Sequence, residues 1–260
     1  MDLTESYRSK TFIVTDPDAR IRQDDDLMAF VLTTDGHFQV IPKGTQVRIT
    51  DVKVAETGSR SHIIFGRAGS ADGSQILGWT STRNLDRKFT NETLGITGPK
   101  PGAGRFGPNA AWADGVFLGQ VDLVDIVDAK LEIERLSMQA IEPYAALVAA
   151  AAADGLEIML NSAFRSYPEQ KHLHDGFIRK LPGFNTAAKP GFSKHQNGTA
   201  FDIAIAGGDG NPTYEWLKRH APTFGFVRTV NKEPWHWEFD QPMADIALAS
   251  GTFKTPTVMV

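Results

Sequence analysis

Apolar and polar positions keep a two-residue period in the first part of the chain and lose it further on. Val47-Arg48-Ile49-Thr50-Asp51-Val52-Lys53-Val54 alternates, as a half-buried strand does. Phe38-Gln39-Val40-Ile41 before it, and His62-Ile63-Ile64-Phe65 and Ile76-Leu77-Gly78-Trp79-Thr80 after it, supply further short strands. Turn residues at Pro42-Lys43-Gly44, Gly58-Ser59 and Gly69 to Ser74 separate them. Strands this short at this spacing predict a small all-β barrel domain over residues 1–90. Residues 91–108, which include Gly98-Pro99-Lys100-Pro101-Gly102, have no apolar period and read as a linker.

From Val124 to Ala153 the period becomes helical. Leu131, Ile133, Leu136, Ile141, Tyr144, Leu147 and Val148 fall on one broad stripe, and Gly155 is placed to end it. Pro143 lies inside the stripe and predicts a break or two successive helices. Leu156, Ile158 and Leu160 alternate as a strand. Ser166 with Glu169 forms a capping box and Pro168 suits a first turn, so a helix is predicted from Tyr167 to about Lys180. Thr199 to Ile205 reads as a strand, Asn211-Pro212 opens a helix ending near His220, and Trp235 to Phe239 is a last strand. Helices and strands without a repeating β–α order predict an α+β domain over residues 109–260, a small antiparallel sheet with flanking helices.

Composition narrows the function classes. Hydrophobic residues make up 41% of the 260 and charged residues 22%, enough for an ordinary core. A formal net charge of -4 argues against a nucleic-acid binder, which carries a basic surplus. There is no cysteine, so any metal is held by nitrogen and oxygen. Ala145 to Ala153, the most apolar stretch, is too short to cross a bilayer, and no membrane insertion is expected. Met1 to Ser6 shows no basic region followed by an apolar run, so no secretory signal is visible.

Two stretches concentrate reactive groups: Ser193-Lys194-His195-Gln196-Asn197-Gly198-Thr199-Ala200-Phe201-Asp202 and Glu233-Pro234-Trp235-His236. They offer two imidazoles, one aspartate, and a glutamate three residues before the second histidine. That is the inventory of a metallohydrolase: three zinc ligands (His195, Asp202, His236), an open position for water, and a general base, Glu233. A straight strand would hold His195 and Asp202 far apart, so the chain must turn back at Asn197-Gly198. His195 then lies in a loop and Asp202 on the strand after it. Pro234 cannot join a central ladder and keeps Glu233 on the loop before the last strand. The other histidines lack such company. His172 and His174 point to different faces of a helix, His220 sits where a helix end favours positive charge, and His37 and His62 have no carboxylate pattern.

Ser-x-His-x-x-Gly-x-Ala-x-Asp followed by Glu-x-Trp-His, with Ser162-Ala163-Phe164-Arg165-Ser166-Tyr167 and Gln170 upstream, resembles the VanY-type D-alanyl-D-alanine carboxypeptidases over about residues 155–240. The resemblance implies a zinc peptidase acting on peptidoglycan stem peptides or muropeptides, in the periplasm or cell wall. His195, Asp202 and His236 match the zinc ligands and Glu233 the catalytic base. Arg165 falls on the arginine that faces the scissile carbonyl. Ser193 and Gln170, with Trp235 of the second motif, fall on the substrate site. Trp235-His236-Trp237-Glu238 departs from the commoner aromatic-basic-aromatic ending, which leaves fine substrate preference open. The expected reaction is release of terminal D-alanine by a D,D- or L,D-carboxypeptidase. The alternatives are an endopeptidase cutting L-alanyl-D-glutamate or a crosslink, as a lysin or antibacterial toxin, and a non-catalytic wall-binding module. Export would follow from a mature form or from a dedicated secretion or lysis system. Earlier in the chain, Pro42-Lys43-Gly44-Thr45 and Gly78-Trp79-Thr80-Ser81-Thr82 with Leu85 resemble a bacterial Src-homology-3-like domain over about residues 20–88. That implies cell-wall binding; a packing module without ligand fits the same residues equally.

Overall fold

The alternation that begins at Val47 produces the longest strand of the protein. The computed structural model describes residues 10–56, 62–86, 91 and 93–251, so Met1 to Ser6 and the turn expected at Gly58-Ser59 lie outside the described residues. The chain divides into two compact units, one formed mainly by residues before Gly95 and one mainly by those after it.

In the first unit β1 (Thr11–Ile13), β2 (Gln46–Glu56), β3 (His62–Ser70) and β4 (Ile76–Ser81) form an antiparallel sheet in that order. Val47, Ile49 and Ala68 face Phe12, Val14, Ile41 and Leu85 in a small core. Among the described residues the expected closed barrel is not formed. Closure needs a continuous ladder between the outer strands, and here isolated bridges stand in its place: Val14 to Leu85 beyond the ends of β1 and β4, and Arg22 to Trp79 of β4. Phe38-Gln39-Val40-Ile41 is likewise no strand: it pairs at the isolated bridges Leu32–Phe38 and Arg20–Val40. Phe38 and Val40 are exposed and only Ile41 is buried, so there is no packed face to hold a longer ladder.

The elements that follow are β5 (Thr93–Thr97), β6 (Ala110–Ala113), β7 (Val116–Gln120), β8 (Leu123–Val127), β9 (Ile133–Ser137), α1 (Ile141–Ala153), β10 (Leu160–Ser162), α2 (Tyr167–Ile178), β11 (Ala200–Ile203), α3 (Pro212–His220), β12 (Phe226–Val227), β13 (His236–Phe239) and α4 (Gln241–Ala249). They build a sheet ordered β5-β8-β9, a β6-β7 hairpin, and the antiparallel sheet β10-β11-β13-β12. The stretch from residue 91 to 108 therefore carries β5 and a short 3-10 turn, Gly104–Phe106.

The helix expected from Val124 begins only at Ile141. Val124, Ile126, Val127 and Ile133 are β-branched and suit a pleated surface, and Leu131, at φ 62, breaks any helix between them. Pro143 sits in the first turn of α1, where its missing N–H has no partner to lose, so no kink follows. Gly155, at φ 76, follows the C-cap Asp154. The strand expected over Leu156 to Leu160 is displaced to Leu160–Ser162. The capping box at Ser166 and Glu169 is formed and starts α2.

Tyr144, Leu147 and Ala151 of α1 pack with Leu217 of α3, Phe201 and Ile203 of β11, and Trp237 and Phe239 of β13. Because successive side chains of a strand point to opposite faces, the other face of this sheet carries Asp202, His236 and Glu238. The core pattern thus aims these three groups together. Among the described residues no helix is long and apolar enough to cross a membrane.

Candidate metal centre

In the register of the second sheet Asp202 stands directly opposite His236, and Ser162 opposite Asp202. His195 arrives from outside the sheet on a 3-10 turn, Lys194–Asn197, capped by Ser193, whose Oγ accepts the His195 N–H at 3.3 Å. The turn ends at Gly198, left-handed at φ 79, where an added Cβ would come within 3.0 Å of Ser137 Cβ. This reversal folds His195 back over the strand that carries Asp202. Before β13, the His236 N–H donates to the Glu233 carbonyl at 3.1 Å, closing a tight turn that leaves Glu233 on the loop.

His195 Nε2 lies 3.4 Å and His236 Nδ1 3.1 Å from Asp202 Oδ1. One donor atom from each residue lies within 4.8 Å of the others, and the three could hold a metal ion. All three are buried, at 3%, 9% and 6% exposure for His195, Asp202 and His236. The opposite edges of both rings are fixed. His195 Nδ1–H donates to the Ala163 carbonyl at 2.6 Å. His236 Nε2–H donates to Glu238 Oε1 at 3.4 Å, and the same oxygen accepts Thr229 Oγ1–H at 2.7 Å. Those bonds turn His195 Nε2 and His236 Nδ1 toward one carboxylate oxygen. Three electron-rich atoms so arranged require positive charge between them, and two imidazoles with one carboxylate suit a borderline divalent cation.

The electrostatics agree. Burial, with Arg165 adding to it, lowers the pKa of His195 despite Asp202, so this ring is neutral at pH 7. Burial pulls His236 down as well, but its hydrogen bonds to Asp202 and Glu238 prevail and raise it to about 9. Asp202 is pushed up by burial, yet His195, His236 and Arg165 together hold it far below the usual carboxylate range.

A cavity of about 640 Å³ opens over these groups, and Arg165, Gln170, Ser193, His195, Asp202, Glu233, Trp235 and His236 all line it. Every residue singled out from the sequence is thus brought to one place. Arg165 follows β10 and donates to Asp202 Oδ2 at 2.9 Å and to Ser162 Oγ at 3.3 Å. Gln170 is buried and braced between Arg165 and the Ala188 carbonyl, at 3.5 and 2.8 Å. Trp235 is 40% exposed. Sequence reading missed Glu238 and the Ala163 carbonyl. Glu238 could have been found from its place two residues after His236 on a strand; a backbone carbonyl leaves no such signal. Four other histidines are engaged elsewhere: His37 beside Asp35 at 3.8 Å, His172 edge-on to Phe184, His174 to the Ala187 carbonyl, and His220 stacked on Trp216.

Residues 133–242 match the family model described as VanY, D-alanyl-D-alanine carboxypeptidase. Over this stretch the chain is similar to a VanY-type domain. The stretch contains the eight cavity residues named above and leaves the N-terminal sheet outside. Among solved structures, the chain is similar to VanYB in complex with D-alanine-D-alanine, at 24% identity over 54% of this chain and 91% of that one, with a TM-score of 0.42. A vancomycin resistance D,D-pentapeptidase VanY mutant in complex with Zn(II) is 27% identical over 44% of this chain and 79% of its own, with a TM-score of 0.36. DacB from Streptococcus pneumoniae is 24% identical over 49% and 87%, with a TM-score of 0.33. Among curated proteins none matches the chain.

Proposed function

We propose that the VanY-type domain is a zinc-dependent peptidase of peptidoglycan stem peptides, releasing terminal D-alanine as a D,D- or L,D-carboxypeptidase. The observation that carries this reading is the meeting of His195, Asp202 and His236 in one cavity with an unligated carboxylate, Glu233, and a guanidinium, Arg165. His195 Nε2, Asp202 Oδ1 and His236 Nδ1 would hold the zinc. Bound there, zinc polarises a carbonyl and lowers the pKa of water toward neutrality.

Glu233 takes the proton of the attacking water and hands it to the leaving amine, the two duties of a general base turned acid. Arg165 balances the negative charge that develops on the scissile carbonyl oxygen. Its tie to Asp202 holds the guanidinium in place beforehand. Gln170 keeps Arg165 from swinging away, Ser193 shapes the turn that presents His195, and the exposed ring of Trp235 is available to the peptide. A cavity of about 640 Å³ has room for residues on both sides of a bond, which also fits a second reading, internal cleavage at L-alanyl-D-glutamate or at a crosslink.

Digestion of purified muropeptides followed by mass measurement tests both. Loss of a single alanine supports the carboxypeptidase, and paired internal fragments support the endopeptidase. An intact substrate with the zinc-loaded protein would refute hydrolysis altogether.

A further inference from the structure

Glu134, on β9, is a half-buried residue whose carboxyl the chemistry above does not use. Its Oε2 accepts the Ala163 amide N–H at 3.1 Å. The Ala163 carbonyl is the group that accepts from His195 Nδ1 at 2.6 Å. The next two residues belong to the same strap: Phe164 N–H donates to the Arg135 carbonyl at 2.9 Å, and Arg165 N–H to the His195 carbonyl at 3.0 Å. Residues 163–165 are therefore pinned to β9 on one side and to the His195 turn on the other. Glu134 supplies the side-chain pin.

Holding a carboxyl there is costly. Burial raises Glu134 to about 7; the Ala163 amide opposes this, Asp128 and Glu169 add to it, and Arg165 opposes it. An apolar side chain would spare that cost but leave the Ala163 N–H without its acceptor, and the carbonyl behind His195 without its support.

We infer that Glu134 is a positioning residue: by holding Ala163 it fixes the carbonyl that orients His195, and so sets the metal affinity of the centre. This rests on the zinc-peptidase reading of the same site.

The test uses the full chain and its Glu134→Leu and Glu134→Gln variants. Zinc affinity is measured by competition with a chromophoric chelator, and the His195 tautomer by nitrogen-15 shifts of labelled imidazole. Circular dichroism verifies folding, and Glu134→Ala replaces Glu134→Leu if the latter does not fold. The expected result is a loss of about 10- to 100-fold in zinc affinity for the apolar variant, the range for losing an outer partner of a metal-bound histidine. Its His195 no longer holds a single Nδ1–H tautomer. Glu134→Gln keeps an acceptor oxygen and retains both affinity and tautomer. A folded apolar variant that binds zinc as the parent does overturns the inference and leaves the peptidase reading intact. A parent chain that binds no zinc overturns both.

Discussion

The same carboxyl makes a second, independent prediction, about stability. Unfolded, Glu134 releases its proton near 4.5; folded, burial holds the proton up to about 7. Between these values the native state binds more protons than the unfolded one, so the group's contribution to stability falls as pH rises from 4.5 to 7. Above 7 the whole penalty applies. A shift of this size corresponds to about 3 kcal/mol, a ceiling set by how far the surroundings relax around the charge. Glutamine mimics the protonated acid and does not titrate. Glu134→Gln should therefore match the parent at pH 4.5 and below, gain between 4.5 and 7, and stay more stable by up to about 3 kcal/mol at pH 8. Urea unfolding followed by tryptophan fluorescence measures this, since Trp112, Trp216, Trp235 and Trp237 all lie in the second unit. Chelator in both samples removes any contribution from metal. A gap that does not widen with pH, or a parent more stable at pH 8, would refute the reasoning.

Three further outcomes follow from the metal centre. His195→Ala should lose both bound zinc and hydrolysis; full zinc occupancy by elemental analysis would show that the ligand set is wrong. Glu233→Gln should keep its zinc and lose turnover by about two to four orders of magnitude, the usual worth of a positioned acid–base group; near-normal turnover on muropeptides would remove Glu233 from the mechanism. Glu238→Ala frees His236 Nε2 and should weaken zinc by about 10- to 100-fold, read by chelator competition, while unchanged affinity would reduce the Glu238 contact to packing.

What could be read from the chain followed the reach of local rules. The capping box at Ser166, the helix opened by Asn211-Pro212 and the turn at Asn197-Gly198 each depend on a few adjacent residues, and each is found in place. The stretch from Val124 to Ser137 misled because apolar residues at mixed spacing fit a helical stripe, while the decision came from β-branching and from the left-handed Leu131. The hairpin of β6 and β7 gave little warning, since Ala110-Ala111-Trp112-Ala113 shows no alternation. The N-terminal barrel failed for a related reason: strands can be read locally, but closure is a long-range property of their pairing. The eight cavity residues named from the sequence were found through motif order; Glu134 belongs to no motif, and the motif that includes Ala163 carries no sign of what its carbonyl does.

The centre and the core are specified by one register. In β13 the residues alternate His236, Trp237, Glu238, Phe239, with Trp237 and Phe239 packed against α1 and β11. Moving this strand by one residue against β11 would turn both aromatic rings toward the cavity and bury an imidazole and a carboxylate among apolar side chains. The aromatic pair therefore does more than fill space: burying it selects the single pairing in which His236 lies opposite Asp202. His195 needs a separate device because it belongs to no strand. That device is the strap from Ala163 to Arg165, joined at one end to β9 and at the other to the His195 turn. Two of the three donors are thus placed by hydrophobic packing and the third by hydrogen bonds, so changes in β9 should reach the metal through His195 and changes in the aromatic core through His236.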